Sequence, residues 1–277
     1  MQSFPEPPTR TSFEHVELEP CHPGFSDPTY RERRNALARL ASSHDGSGPI
    51  PTVVYTSEEH AVWRTVLARL APLHARYACE AVNDATSRFP IAPDHIPQLA
   101  DVSQAIARET GFTLAPVAGL VPSREFIGAL GRGVFLATQY VRHPSRPLYT
   151  PEPDVVHELV GHAATLADPT FARLSRAFGE AAFRADDAGI ARIERLYWHT
   201  LEFGVVRERG HLKVCGAGLL SSVGEIERFQ RDARLLPFDI ETIIRSPYDP
   251  AGYQDLLFVG ESFDDMVETT LAYLSAL

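Results

Sequence analysis

Apolar residues recur along this chain at helical rather than strand spacing. Asp27-Pro28 marks a helix start, and Ala, Leu and Arg follow at helical intervals through TYRERRNALARLASSH. SEEHAVWRTVLARLAPLHARYACEAVNDA predicts one or two further helices. Ser57 is the expected N-cap there, with Glu58 and Glu59 in the first turn, where carboxylates suit the positive end of the helix dipole. DHIPQLADVSQAIARETG reads as another helix, closed by Gly111. Residues 112–154 are rich in Pro and Gly and predict irregular chain around a single helix. From Asp154 the helical pattern returns, in a segment carrying two histidines, then at 170–184 and 188–206. KVCGAGLLSS and YQDLLFVGESF predict short strands or extended loops before a last helix at 263–276. The expectation is a mainly α fold with a few short strands. A single domain over 21–277 follows a mobile, Pro/Glu-rich leader at 1–20, since no repeat or linker divides the chain.

Composition narrows the function classes. Of 277 residues, 44% are hydrophobic, ample for a substantial core. The longest apolar runs, such as LLFVG, are far too short to span a bilayer, and the first residues lack a secretory pattern. A net charge of −10 argues against nucleic acid or an anionic membrane as partner. Three widely separated cysteines imply no disulfide framework. A soluble, cytoplasmic, globular protein is the expectation.

The chemistry concentrates in HELVGH, His157 to His162. Zinc peptidases place two histidines four apart on one helical face. Here they are five apart, and on an unbroken α-helix five residues overshoot to about 140°. The two can converge only if the helix ends or unwinds at Gly161. A third donor is then required. In RIERLYWHTLEFG the residues Ile190, Ile193, Tyr197 and Leu201 form a core-facing stripe, and Glu202 sits on its shoulder. A carboxylate there is expensive to bury unless a cation receives it. Two imidazoles and one carboxylate are the marks of a non-heme Fe(II) site. On the residues alone this remains a candidate, beside the plainer alternative that the histidines share no metal.

YTPEPDVVHELVGH, YWHTLEFG and GAGLLSS together resemble the catalytic domain of the pterin-dependent aromatic amino acid hydroxylases. The likeness continues through HPGFSDPTYRERR, PIPTVVY, IPQLADVSQ, TGFTLAPVAGLVPSREF, TQYVRHPSRPLYT, LLPFD and FVGESF, so it covers the chain from about His22 onward. It implies a mostly helical catalytic fold with Fe(II) held by His157, His162 and Glu202. It also implies tetrahydrobiopterin or a related reduced pterin as electron donor, O2 as oxidant, and a short, bacterial-type, monomeric enzyme.

The same resemblance assigns further roles. Arg142 would hold the substrate carboxylate through its guanidinium fork. Asp154 would orient Arg142, or else merely cap the histidine helix. Thr150 and Ser221 would help fix the amino acid group, and Pro153, Trp198 and Phe203 would form the aromatic pocket. Phe126 would stack on the pterin, where the residues alone suggest core. Gly119, Val121 and Ser123 would present the pterin loop, and Glu158 would face the pterin as a further catalytic carboxylate. Arg34 and Glu152 are expected to pair.

Departures from the family pattern bear on substrate. Ala163-Ala164 replaces a bulkier pair, His199 stands where phenylalanine is common, Cys215 replaces tyrosine, and Gly131 and Gly133 replace larger residues. His199 would touch Glu202 or face solvent. Trp198 favours phenylalanine or tyrosine over tryptophan, and Pro250 stands near where tyrosine-specific members carry aspartate. L-Phenylalanine is the expected substrate, with para product the default and meta the variant outcome. Tyrosine or tryptophan hydroxylation is the alternative within the family. A zinc hydrolase and a non-catalytic binding protein retaining the fold are the rivals outside it.

Overall fold

The computed structural model describes residues 16–46, 48–250 and 252–277. Helix makes up 55% of the structure and strand 10%, in keeping with the mainly helical expectation. Most of the proposed leader lies outside the described residues; within it, the Val16 amide donates to Asn35 Oδ1 at 2.8 Å.

The N-terminal half is a helical layer. Helix α1 (Pro28–Ser42) starts at Asp27, whose carboxylate accepts from the amides of Thr29 and Tyr30. The long apolar-periodic segment divides into α2 (Ser57–Tyr77) and α3 (Glu80–Arg88). The N-cap of α2 is Thr56, one residue before the predicted Ser57, because Thr56 and Glu59 form a reciprocal capping box. Helix α4 (Leu99–Thr110) begins after Pro97 and closes at Gly111, whose φ of +74° belongs to the left-handed region.

The stretch expected to be irregular contains more order than its Pro and Gly content suggests. Strands β1 (Thr113–Pro116) and β2 (Val134–Ala137) pair in parallel, with α5 (Ser123–Gly131) as their crossover. Helix α5 lies against α7 (Pro169–Arg184) at a glycine crossing. A Cβ on Gly179 would fall 1.9 Å from Gly131 N, and one on Gly131 would fall 2.7 Å from the Gly179 carbonyl carbon. Gly131 thus serves helix packing.

Helix α8 (Asp187–Tyr197) leads through a wider turn into β3 (Val205–Glu208), so the helix predicted to reach 206 ends earlier. A mixed sheet of order β4-β3-β6-β5 follows, formed with β4 (His211–Val214), β5 (Arg234–Pro237) and β6 (Leu256–Gly260). GAGLLSS is not extended: it forms a short helix, α9 (Ala217–Ser221), followed by α10 (Val223–Asp232). After the single turn α11 (Ile240–Ile243), helix α12 (Phe263–Ala276) closes the chain where the pattern placed it. Among the described residues no helix is long and apolar enough to cross a membrane.

Candidate metal centre and its two chambers

The five-residue spacing of the histidines is resolved by a local change of helix type. His157–Ala163 is a π-helix, continued directly by the short helix α6 (Ala164–Leu166). With hydrogen bonds five rather than four residues apart, each residue turns by roughly 80–85°, so five residues pass a full turn by only about 40–65°, against about 140° in an α-helix. His157 and His162 therefore share a face without any break. The helix does not end or unwind at Gly161, as the α-helical geometry had suggested. Gly161 is there for close approach: a Cβ would lie 2.8 Å from Ala217 O and 2.9 Å from Ala217 Cβ, inside α9.

The third candidate ligand, Glu202, sits on a second π-turn, Trp198–Glu202, in which the Phe203 amide donates to Trp198 O at 2.8 Å. The wider turn swings Glu202 off the α8 stripe and towards the histidines. The two His Nε2 atoms lie 3.1 Å apart. Glu202 Oε1 is 3.0 Å from His162 Nε2, and its Oε2 is 3.5 Å from His157 Nε2. Among the described residues this is the one group of three His, Cys, Asp or Glu side chains converging within 4.8 Å.

The donor chemistry fits a cation. Ser221 Oγ donates its hydrogen to Ala217 O at 2.8 Å, so it accepts from His157 Nδ1, 2.9 Å away. Burial pushes His157 down to about 4, against the pull of Glu202, which keeps the ring neutral. Its Nε2 lone pair is thereby aimed at the Glu202 carboxylate and at a second imidazole, an arrangement that a metal ion relieves. Burial would raise Glu202, but His162 and His157 hold it below the usual carboxylate range, and Tyr197 adds a hydrogen bond. Two imidazoles and a carboxylate on one side of a site suit Fe(II) with positions left for other ligands.

Two chambers open on this triad. The first is lined by Arg142, Thr150, Trp198, Phe203 and Ser221. The second is lined by Gly119, Val121, Ser123, Phe126 and Glu158. Pro153, His157, Trp198 and Glu202 belong to both. The sequence-derived residues thus line one chamber or both, except Asp154, which is buried and pairs with Arg142.

Arg142 and Asp154 form a two-pronged buried pair, Nε to Oδ2 at 2.9 Å and Nη2 to Oδ1 at 2.8 Å. Burial would raise the Asp154 carboxyl, yet Arg142 holds it below its ordinary range. Asp154 also accepts from the His157 amide at 3.3 Å, so pairing and capping coexist. Thr150 donates to Glu152 O, and Ser221 supports His157, so both hydroxyls donate within the protein. Glu158 Oε1 accepts from the amide and hydroxyl of Thr138, both at 3.0 Å, while burial pushes its carboxyl up to about 7. Phe126 meets Phe135 and Tyr197 edge-on. Arg34 and Glu152 pair at 2.7 Å, as expected.

His199 matches neither expectation. It is 1% exposed, and its two ring nitrogens lack hydrogen-bond partners, so neither bonds Glu202. It fills an apolar slot edge-on to Phe258, and burial pushes it down to about 4. Ala163, Ala164, Cys215, Gly131 and Gly133 line neither chamber, so these departures do not shape the walls; Pro250 lines both.

Several residues of the site carried no sequence signal. Tyr248 stacks on Trp198 at 4.2 Å, and Gln254 Oε1 accepts from the Trp198 indole at 2.9 Å. Glu225 lines the first chamber and accepts from the Gln254 amide at 2.9 Å. Glu194 enters the second chamber, bound by Ser123 and Tyr248.

A family model described as biopterin-dependent aromatic amino acid hydroxylase matches residues 9–277. The chain is 43% identical to phenylalanine-4-hydroxylase of Mus musculus, over 95% of this chain and 59% of that one. It is equally identical to tyrosine 3-monooxygenase of Homo sapiens, over 94% of this chain and 50% of that one. The chain therefore spans between half and three fifths of the length of these curated relatives. Among solved structures it resembles phenylalanine hydroxylase of Chromobacterium violaceum with bound iron(III) and 7,8-dihydrobiopterin. The two are 30% identical with a TM-score of 0.74, over 80% of this chain and 82% of that one.

Proposed function

Since the chain belongs to the family of biopterin-dependent aromatic amino acid hydroxylases, we propose that it hydroxylates the ring of L-phenylalanine with O2, using Fe(II) and a reduced pterin such as tetrahydrobiopterin. The observation that carries this reading is the meeting of two unlike chambers at one set of ligands. One chamber has an arginine fork; the other has a buried carboxyl and no arginine or lysine.

His157, His162 and Glu202 would hold the iron. Bound there, iron and pterin supply the activation of dioxygen that an aromatic C–H bond requires. The chain's own part is placement and exclusion of water. Arg142 binds the amino acid carboxylate, and Asp154 keeps the guanidinium in plane. Pro153, Trp198 and Phe203 flank the substrate ring, with Trp198 held by Gln254 and by Tyr248 stacked on it. In the second chamber Phe126 offers an aromatic surface to a flat heterocycle, and Glu158 accepts from its ring N–H groups. These walls keep water from the reacting atoms.

Phenylalanine is favoured over tyrosine because Pro250, which lines both chambers, offers no carboxylate to a phenol. Tyrosine is the product in this reading. The chain acts as a cytoplasmic monomer on small molecules, its net charge of −10 opposing nucleic acid and anionic membranes.

The test is to load the protein anaerobically with Fe(II) and add air, a tetrahydropterin, and each aromatic amino acid separately. Products are identified against para-, meta- and ortho-tyrosine, L-DOPA and 5-hydroxytryptophan. Para-tyrosine supports the full reading, and meta-tyrosine changes its regiochemistry. L-DOPA or 5-hydroxytryptophan as the main product changes its substrate. A pterin left unconsumed overturns it in favour of a binding protein that retains the fold.

A further inference from the structure

Glu194 stands on α8 at the half-exposed rim of the second chamber, opposite in character to the deeply buried Glu158. Its Oε1 accepts two hydroxyl hydrogen bonds, from Ser123 Oγ at 2.7 Å and from Tyr248 at 2.5 Å. The three residues come from the start of α5, the middle of α8 and the loop before β6. Together they make a rim of one carboxylate and two hydroxyl oxygens. The rim belongs to a chamber whose lining includes three glutamates, Glu158, Glu194 and Glu202, and no arginine or lysine. Arg142 lies in the first chamber, on the other side of the ligand triad.

We propose that Glu194 is a specificity-determining residue that selects pterins with a neutral, hydroxyl-bearing substituent at C6 and rejects those with an anionic one. This rests on the reading of the second chamber as the pterin site. A flat heterocycle facing Glu158 with its N–H edge leaves its substituent at the half-exposed rim. There a side-chain hydroxyl finds strong acceptors, since hydrogen bonds to a charged oxygen are the stronger kind. A carboxylate on the substituent would instead meet Glu194 in a chamber that no arginine or lysine lines to offset the repulsion. Like charges a few ångströms apart at a partly buried site repel strongly enough to cost tenfold or more in affinity.

The test is equilibrium binding by calorimetry, independent of turnover, with 6-methylpterin, biopterin and pterin-6-carboxylate as probes. The unmodified protein is expected to bind pterin-6-carboxylate at least tenfold more weakly than 6-methylpterin, and biopterin at least as tightly as 6-methylpterin. Glu194→Gln removes the charge while keeping an oxygen that Ser123 and Tyr248 can still donate to. It should shrink the tenfold discrimination at least fivefold. Glu194→Ala, with folding checked by circular dichroism, should do the same if the glutamine variant proves unstable. Equal discrimination in the variants and the unmodified protein overturns the role of Glu194, as does the absence of discrimination in the unmodified protein. Binding of none of the three probes overturns the pterin-site reading itself, so the two failures are distinct.

Discussion

Ser221 determines which nitrogen of His157 faces Glu202. Its hydroxyl hydrogen goes to Ala217 O, so its oxygen accepts from His157 Nδ1 at 2.9 Å and leaves Nε2 as the lone-pair donor. A metal-binding imidazole depends on such a partner for its tautomer and ring orientation.

Ser221→Ala is therefore expected to weaken Fe(II) binding by about 10–100-fold, the usual effect of losing an outer partner of a ligating histidine. Anaerobic titration with Fe(II), or with Co(II) as a spectroscopic substitute, measures it. An unchanged affinity would mean that Ser221 acts on the substrate alone.

Gly161→Ala places a Cβ against the α9 backbone, 2.8 Å from Ala217 O. Because Ala217 also accepts from Ser221, displacing α9 disturbs the support of His157. We expect a loss of about 1–3 kcal/mol, typical of overpacking, together with weaker metal binding. Thermal unfolding with and without Fe(II) separates the two effects.

Glu225 gives a pH dependence of stability. Burial pushes its carboxyl up to about 7 from an ordinary 4.5, although the Gln254 amide and Arg228 act in the opposite sense. The folded chain thus keeps this proton over a range where the unfolded chain has lost it. Stability from this group is present below the unfolded value and declines as pH rises from about 4.5 to about 7, by at most roughly 3 kcal/mol. Glu225→Gln should accordingly gain stability over the parent at pH 8 relative to pH 5. Urea unfolding at the two pH values measures the gain, and an identical difference at both would exclude this origin.

Arg142→Lys keeps the charge but loses the planar fork that meets both oxygens of Asp154. Under the proposed function KM for the amino acid should rise at least tenfold, while pterin affinity measured by calorimetry changes less than threefold. Equal losses of both would point to collapse of the site rather than loss of a carboxylate anchor.

The residue types of the chain determined a good deal by themselves. Apolar periodicity placed α1, α4, α7 and α12 because each buries one continuous stripe. His157, His162 and Glu202 could be nominated as candidate ligands because few residue types ligate a metal and each sat in a distinctive local context, and the fold brings the three together. Local pattern could not show that both ligand segments are π-helical. It could not show either that α9 packs against Gly161, which brings two segments more than fifty residues apart in sequence into contact. Nor could it place His199 in an apolar slot beside Phe258, or bring Ser123, Glu194 and Tyr248 onto one rim. Periodicity reports which face of an element is buried; which distant side chains meet there is decided only when the elements pack.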